Sequence, residues 1–225
     1  MNVLRQLVSF VLGIWLGIGG APMQAEAQAT DSRAAIGRRV VIFGDSITAG
    51  YGLERSQSFP AVLQRKVEQE KLPFEIISAG VSGDTTAGGL RRIQWALGPG
   101  AAVCVVALGG NDGLRGISPK ETEENLGGII RSIRAKSPDA VIIVAGMRMP
   151  ANFGTQFTQA FAAVFPKVAA EYSTLLVPFL LEGVGGVPEL NQEDLIHPTA
   201  EGQERVAETV WKVLLPALTA LRSRK

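Results

Sequence analysis

Cysteine and histidine are nearly missing from this 225-residue chain: each occurs once, as Cys104 and His197. One cysteine excludes an internal disulfide, so the folded part must be held by its core. The thiol lies inside the apolar run "AAVCVVAL", where burial raises its pKa and hides it, so it reads as a core residue and not as a nucleophile. Charge of one sign is also lacking. The net charge is +1 and basic residues never run beyond two or three in a row, which excludes an electrostatic footprint for nucleic acid. No internal repeat, low-complexity tract or interdomain linker interrupts the chain, and 46% apolar residues are enough for a sizeable core.

Long apolar runs are lacking except at the start. Arg5 precedes an apolar stretch from about Leu7 to Ile18, followed by glycines, Pro22 and the small-residue pattern "AEAQA" over 25–29. About a dozen apolar residues fall short of the roughly 20 that a spanning helix needs. The segment 1–29 is therefore read as a secretory signal cleaved near Ala27 or Ala29, with an uncleaved anchor as the alternative. The expectation is a periplasmic or secreted protein whose residues 30–225 form one domain with no stable membrane span.

Beyond Thr30, short apolar runs alternate with helical patterns. Strands are expected at 38–43, 73–77, 102–108, 140–146 and 174–179, each apolar throughout, as in strands covered on both faces. Helices are expected near 58–71, 85–97, 119–136, 155–171 and from Pro198 to Leu215, the last ended or kinked by Pro216. Five βα units make an α/β domain with a parallel sheet between helix layers. In such sheets functional groups gather at the carboxyl ends of the strands. Those ends carry "GDS" at 44–46, "SAGVSGDTT" at 78–86, "GGNDGLRG" at 109–116 and "EDLIHPTAEG" at 193–202.

Two signatures of phosphate binding are missing as well. Neither glycine-rich turn has the lysine and hydroxyl of a P-loop, and Gly50-Tyr51-Gly52 does not continue as G-x-G-x-x-G. The G-x-S-x-G elbow of the α/β-hydrolases is absent too, since the stretch reads Gly44-Asp45-Ser46-Ile47-Thr48. A serine hydroxyl needs a base, most often histidine. If Ser46 is activated by an imidazole of its own chain, His197 is the one candidate. Asp194, three residues earlier, can fold onto the imidazole Nδ1–H, though Glu193 competes for that place. Candidate donors for an oxyanion are the Ser46 amide, the Gly83 amide and the Asn111 side chain. Read singly, Ser46 is an ordinary helix cap, Gly83 a turn glycine and Asn111 a loop asparagine. Leu114, Ile117, Met149 and Phe153 are candidates for acyl contacts.

The blocks "GDSITAGYGL", "GVSGDTT", "LGGNDGLRG" and "DLIHP", in this order, resemble the SGNH, or GDSL-type, hydrolases. "RMPANFG" at 148–154 and "AFAAVFPKVA" at 160–169 are similar to its bacterial periplasmic thioesterase, arylesterase and lysophospholipase subgroup. The resemblance runs from about Val40 to Leu215. It implies a flavodoxin-like three-layer fold with strand order 2-1-3-4-5 and no metal or cofactor. It implies Ser46 as nucleophile, His197 as base and Asp194 as its orienting acid, with Ser46, Gly83 and Asn111 as the oxyanion hole. It further implies a substrate-binding loop over Gly113 to Ser118. The partners expected are small acyl esters or thioesters, lysophospholipid among them, acted on by a monomer. Two positions depart from the subgroup: Ser78, often asparagine there, and Leu195, often glycine. A carbohydrate O-acetyl esterase and a non-catalytic binding domain on the same scaffold are the alternatives. Against the first, Trp95 and Trp211 sit in helical patterns and Trp15 in the leader.

Overall fold

Five parallel strands in the order β2-β1-β3-β4-β5 form the sheet: β1 (Arg39–Gly44), β2 (Glu75–Gly80), β3 (Val103–Ala107), β4 (Val141–Ala145) and β5 (Leu175–Val177). The computed structural model describes residue 36 and residues 38–223. The expected leader over 1–29 and its cleavage near Ala27 or Ala29 lie outside the described residues. Among the described residues no helix is long and apolar enough to cross a membrane.

The three inner strands are β-branched runs with nearly every residue buried, which is what a sheet covered on both faces requires. Cys104 lies in β3 without exposure, and burial pushes its thiol up to about 12. The edge strands differ from the expectation of full cover. β2 is half-exposed along its length, and Leu175 of β5 faces solvent. β2 also begins later and runs farther than 73–77. It follows β1 to its end, pairing Ile42 with Ser78, Phe43 with Ala79 and Gly44 with Gly80. Gly80 permits this approach, since a β-carbon there would stand 2.4 Å from the Ala49 amide nitrogen.

Seven helices are described: α1 (Ser46–Ala49), α2 (Phe59–Gln69), α3 (Thr86–Ala96), α4 (Gly110–Leu114), α5 (Pro119–Lys136), α6 (Thr155–Glu171) and α7 (Ala200–Arg222). α3, α5 and α6 pack in sequence on one face of the sheet, and α2 pairs with α7 on the other. The last helix does not end at Pro216 but continues to Arg222. Proline removes one backbone bond there, yet Leu214, Ala217 and Leu218 are buried on either side of it, so the apolar face carries the helix through.

The chain reverses direction across the sheet between β1, which leads to β2 on one side, and β3 on the other. Crevices at such switch points collect ligands at the carboxyl ends of the strands. The turns that leave β1 and β3 here carry Ser46 and Asn111.

Candidate active site

Asp45 fixes where Ser46 sits. It caps α1, its Oδ1 accepting from the Ile47 amide at 3.0 Å, and this puts Ser46 at the first helical position. The first amides of a helix have no intrahelical acceptor, so the Ser46 N–H has no partner within α1. Gln203 of α7 clamps the same helix from behind. Its Nε2 donates to Ile47 O at 3.1 Å and its Oε1 accepts from Phe59 N at 2.8 Å.

His197 reaches Ser46 from a chain segment 151 residues away, with Nε2 at 2.9 Å from the serine Oγ. Its Nδ1 stands 2.6 Å from Asp194 Oδ2, so a proton on Nδ1 leaves Nε2 able to accept. Asp194 Oδ1 also accepts from the Ile196 and His197 amides, both at 2.9 Å. Partial burial works against ionisation of Asp194, but the His197 ring bond and these two amides together outweigh it and hold the carboxyl at about 2. Glu193, the competing carboxylate, has no such contact with the ring. The Tyr51 ring lies against the imidazole at 4.5 Å between centroids, tilted by 35°, and Gln192 donates to Tyr51 O and Pro198 O, tying the histidine loop to the turn after α1. Leu195, between the acid and the base, has a left-handed φ of 56°, a backbone conformation that favours glycine.

Asn111 lies on α4. Its Nδ2 donates to Asp84 O at 3.0 Å and faces Asp45 Oδ2 at 3.4 Å, the second longer than a normal bond. The neighbouring Asp112 is fully buried and accepts from Thr86 N at 2.8 Å and from the Thr86 hydroxyl, so one carboxylate caps α3 and anchors α4. Gly83 has a φ of 79°, and a β-carbon there would meet only Arg115 Nη2, at 3.7 Å. Its backbone conformation demands glycine more than any crowding does.

Asp45 has an environment unlike that of Asp194. Burial pushes its carboxyl up to about 6, against the lowering effects of the Ile47 amide and the His197 charge. It lines the same cavity as Ser46, Asn111 and His197, a space of about 360 Å³ with walls of Leu114, Met147, Met149, Phe179, Leu181, Leu195 and Ile196, and with Arg148 beside them. That volume suits a small ligand or part of a chain. Among the described residues no group of three His, Cys, Asp or Glu side chains is placed to hold a metal ion.

The structure thus gathers Ser46, Asp194, His197 and Asn111, with Leu114 and Met149 on the cavity wall. Gly83, Gly113, Ile117 and Phe153 are not part of that wall. Gly113 gives room to Met149, whose Sδ would stand 2.3 Å from a β-carbon. Ile117 closes the turn after α4 through its bond to Asp112 O. Phe153 stacks on Phe157, the start of an aromatic row that continues to Phe161 and Phe165. Sequence reasoning missed Asp45 as a cavity residue, together with Arg92, Asp112, Gln192 and Gln203. For Asp45 the aspartate before a short helix was a usable capping signal; the others depend on partners far away in sequence.

Residues 42–205 match the profile of the GDSL-like Lipase/Acylhydrolase family. The chain is 41% identical over 188 residues to Esterase TesA of Pseudomonas aeruginosa, covering 83% of this chain and 92% of that one. It is 37% identical over 193 residues to the Thioesterase 1/protease 1/lysophospholipase L1 of Escherichia coli K12, covering 82% and 86%. A crystal structure of TesA superposes with a TM-score of 0.76 at 42% identity, over 80% of this chain and 99% of that chain. With the parallel sheet order, the four sequence blocks and these relatives in agreement, the chain belongs to the GDSL-like lipase/acylhydrolase family, the SGNH hydrolases, and is an ester hydrolase.

Proposed function

We propose that this protein is an exported serine esterase and thioesterase that hydrolyses acyl esters, including aryl esters and lysophospholipids, and acyl-CoA thioesters, through an acyl-enzyme on Ser46. The observation that carries the reading is the 2.9 Å contact between Ser46 Oγ and His197 Nε2, with Asp194 on the far side of the ring. His197 Nε2 takes the serine proton as Oγ attacks the acyl carbonyl. The imidazolium that forms is stabilised by the ionised Asp194, and it returns the proton to the departing alcohol or thiol. Water then attacks the acyl-enzyme, gives its proton to Nε2, and the acid leaves as Ser46 recovers its hydrogen.

The oxyanion is held by the Ser46 and Gly83 amides and by Asn111 Nδ2. Of the two Asn111 contacts, the one at 3.4 Å to Asp45 is the weaker, so that proton turns to the developing charge while Asp84 O keeps the other. The apolar cavity wall takes the acyl chain, Leu114 and Met149 among its contacts. Every group in this mechanism comes from one chain, so a monomer suffices for the reaction. The leader-like composition of 1–29 supports export to the periplasm or beyond.

A sugar-acetate substrate is disfavoured by the tryptophans: Trp95 is exposed on α3 and Trp211 is buried on α7 under Lys66, and neither lines the cavity. The test is the rate profile over p-nitrophenyl esters from acetate to palmitate, beside acyl-CoA. The expected result is turnover of several chain lengths and of the thioester. Turnover of acetate alone would favour the carbohydrate esterase.

A further inference from the structure

We infer that Arg92 is the positioning residue of the oxyanion hole, a single guanidinium that sets all three donors at once. It touches neither the cavity nor a substrate and acts through what it holds. From α3 it reaches the carboxyl edge of the sheet, where its side chain is 17% exposed and that of Asp84 12%. Nη2 donates to Gly44 O at 2.8 Å, Nη1 to Ala79 O at 3.0 Å and Nε to Asp84 Oδ2 at 2.6 Å. The guanidinium also lies over the Phe43 ring, 4.2 Å from its centroid, which fixes the plane of the fork.

Each of these acceptors leads to one donor. Gly44 ends β1 two residues before Ser46, so its carbonyl sets how the chain enters α1. Ala79 and Asp84 bracket the segment that carries Gly83. The backbone carbonyl of Asp84 accepts from Asn111 Nδ2, so the residue whose carboxylate Arg92 grips is also the one that aims Asn111. Three acceptors on three segments require a planar group with several donors in fixed directions; a lysine ammonium can keep the charge but not the fork. A residue needed only for stability would not couple specifically to Asn111.

The inference rests on the ester-hydrolase reading, and its test separates the two. Wild type, R92K, N111A and the double variant are compared on p-nitrophenyl butyrate, with circular dichroism to show that each is folded. R92K is expected to lose roughly 10- to 100-fold in kcat with KM little changed, as misplaced donors would dictate. N111A is expected to lose about 10²–10³, and the double variant far less than the product of the two losses, because both act on one constellation. Should R92K not fold, D84N takes the carboxylate charge out of the Nε contact and carries the same comparison with N111A. Full kcat in a folded R92K or D84N, or losses that multiply, would overturn the role of Arg92. A wild type without activity on the ester would instead overturn the function.

Discussion

Asp194 holds His197 at two points and the residue before it at a third: its Oδ2 lies 2.6 Å from the ring Nδ1, and its Oδ1 accepts the His197 backbone amide at 2.9 Å and, beside it, that of Ile196. The carboxylate therefore fixes both the tautomer of the ring and the path of the loop that carries it. Asp194→Asn keeps an oxygen for the two amides but can place an N–H donor against Nδ1. The ring then carries its proton on Nε2, facing Ser46, and cannot accept another. A loss of roughly 10³–10⁴ in kcat is expected with the fold intact, measured as ester hydrolysis beside a thermal melt. Retention of more than a tenth of the rate would show that the tautomer is not set by Asp194.

Asp45 is the opposite kind of carboxylate, and its linkage to stability has the opposite sign. Burial raises it from the ordinary 3.8 to about 6, so between those values the unfolded chain ionises first and stability falls as pH rises. Above pH 6 the penalty is complete, up to about 3 kcal/mol for a shift of that size. Asp45→Asn keeps an oxygen for the Ile47 amide, since asparagine caps as well as aspartate, and removes the buried charge. Urea unfolding should show the variant more stable than wild type at pH 7.5 and nearly equal to it below pH 4. The new amide faces Asn111 Nδ2, so kcat should drop about tenfold, near 1.4 kcal/mol. A variant equally destabilised at both pH values would contradict this account.

Leu195 is exposed, with 59% of its surface accessible, and its left-handed backbone is strained. Leu195→Gly relieves about 1–2 kcal/mol of that strain against the added freedom of glycine in the unfolded chain, for a net gain of about 0.5 kcal/mol. It also removes part of the cavity wall. The melting temperature should rise slightly, while KM for long acyl esters increases more than KM for acetate. A lower melting temperature would mean that the leucine packs usefully in spite of its backbone.

The inner strands were legible because Val40 to Phe43, Val103 to Val106 and Ile142 to Val144 are uninterrupted buried runs, a pattern that few other structures produce. β2 was misplaced because Ser78-Ala79-Gly80 has the composition of a turn; only the neighbouring β1 and the close approach of Ala49 make it a strand. The single-turn helices α1 and α4 were read as loops, since one turn carries no periodicity; α1 rests on the local Asp45 cap, and α4 on Asp112, whose partner Thr86 is 26 residues away. The residues offered for the central chemistry could be named from their blocks, but their supports could not. Gln203 and Ile47 are 156 positions apart, and Arg92 and Gly44 are 48, distances over which sequence patterns are silent. Phe153 illustrates the reverse error: an aromatic beside a conspicuous loop segment stacks along α6 instead of entering the cavity.

Ser46 carries the acyl group in this mechanism, and covalent labelling is the decisive experiment. The enzyme is treated with a fluorophosphonate, digested and sequenced by mass spectrometry, beside Ser46→Ala. One adduct on Ser46 is expected in the wild type and none in the variant, with a loss of roughly 10⁴-fold or more in ester hydrolysis by the variant. An unlabelled Ser46 in an enzyme that still hydrolyses esters, or full activity in Ser46→Ala, would contradict it.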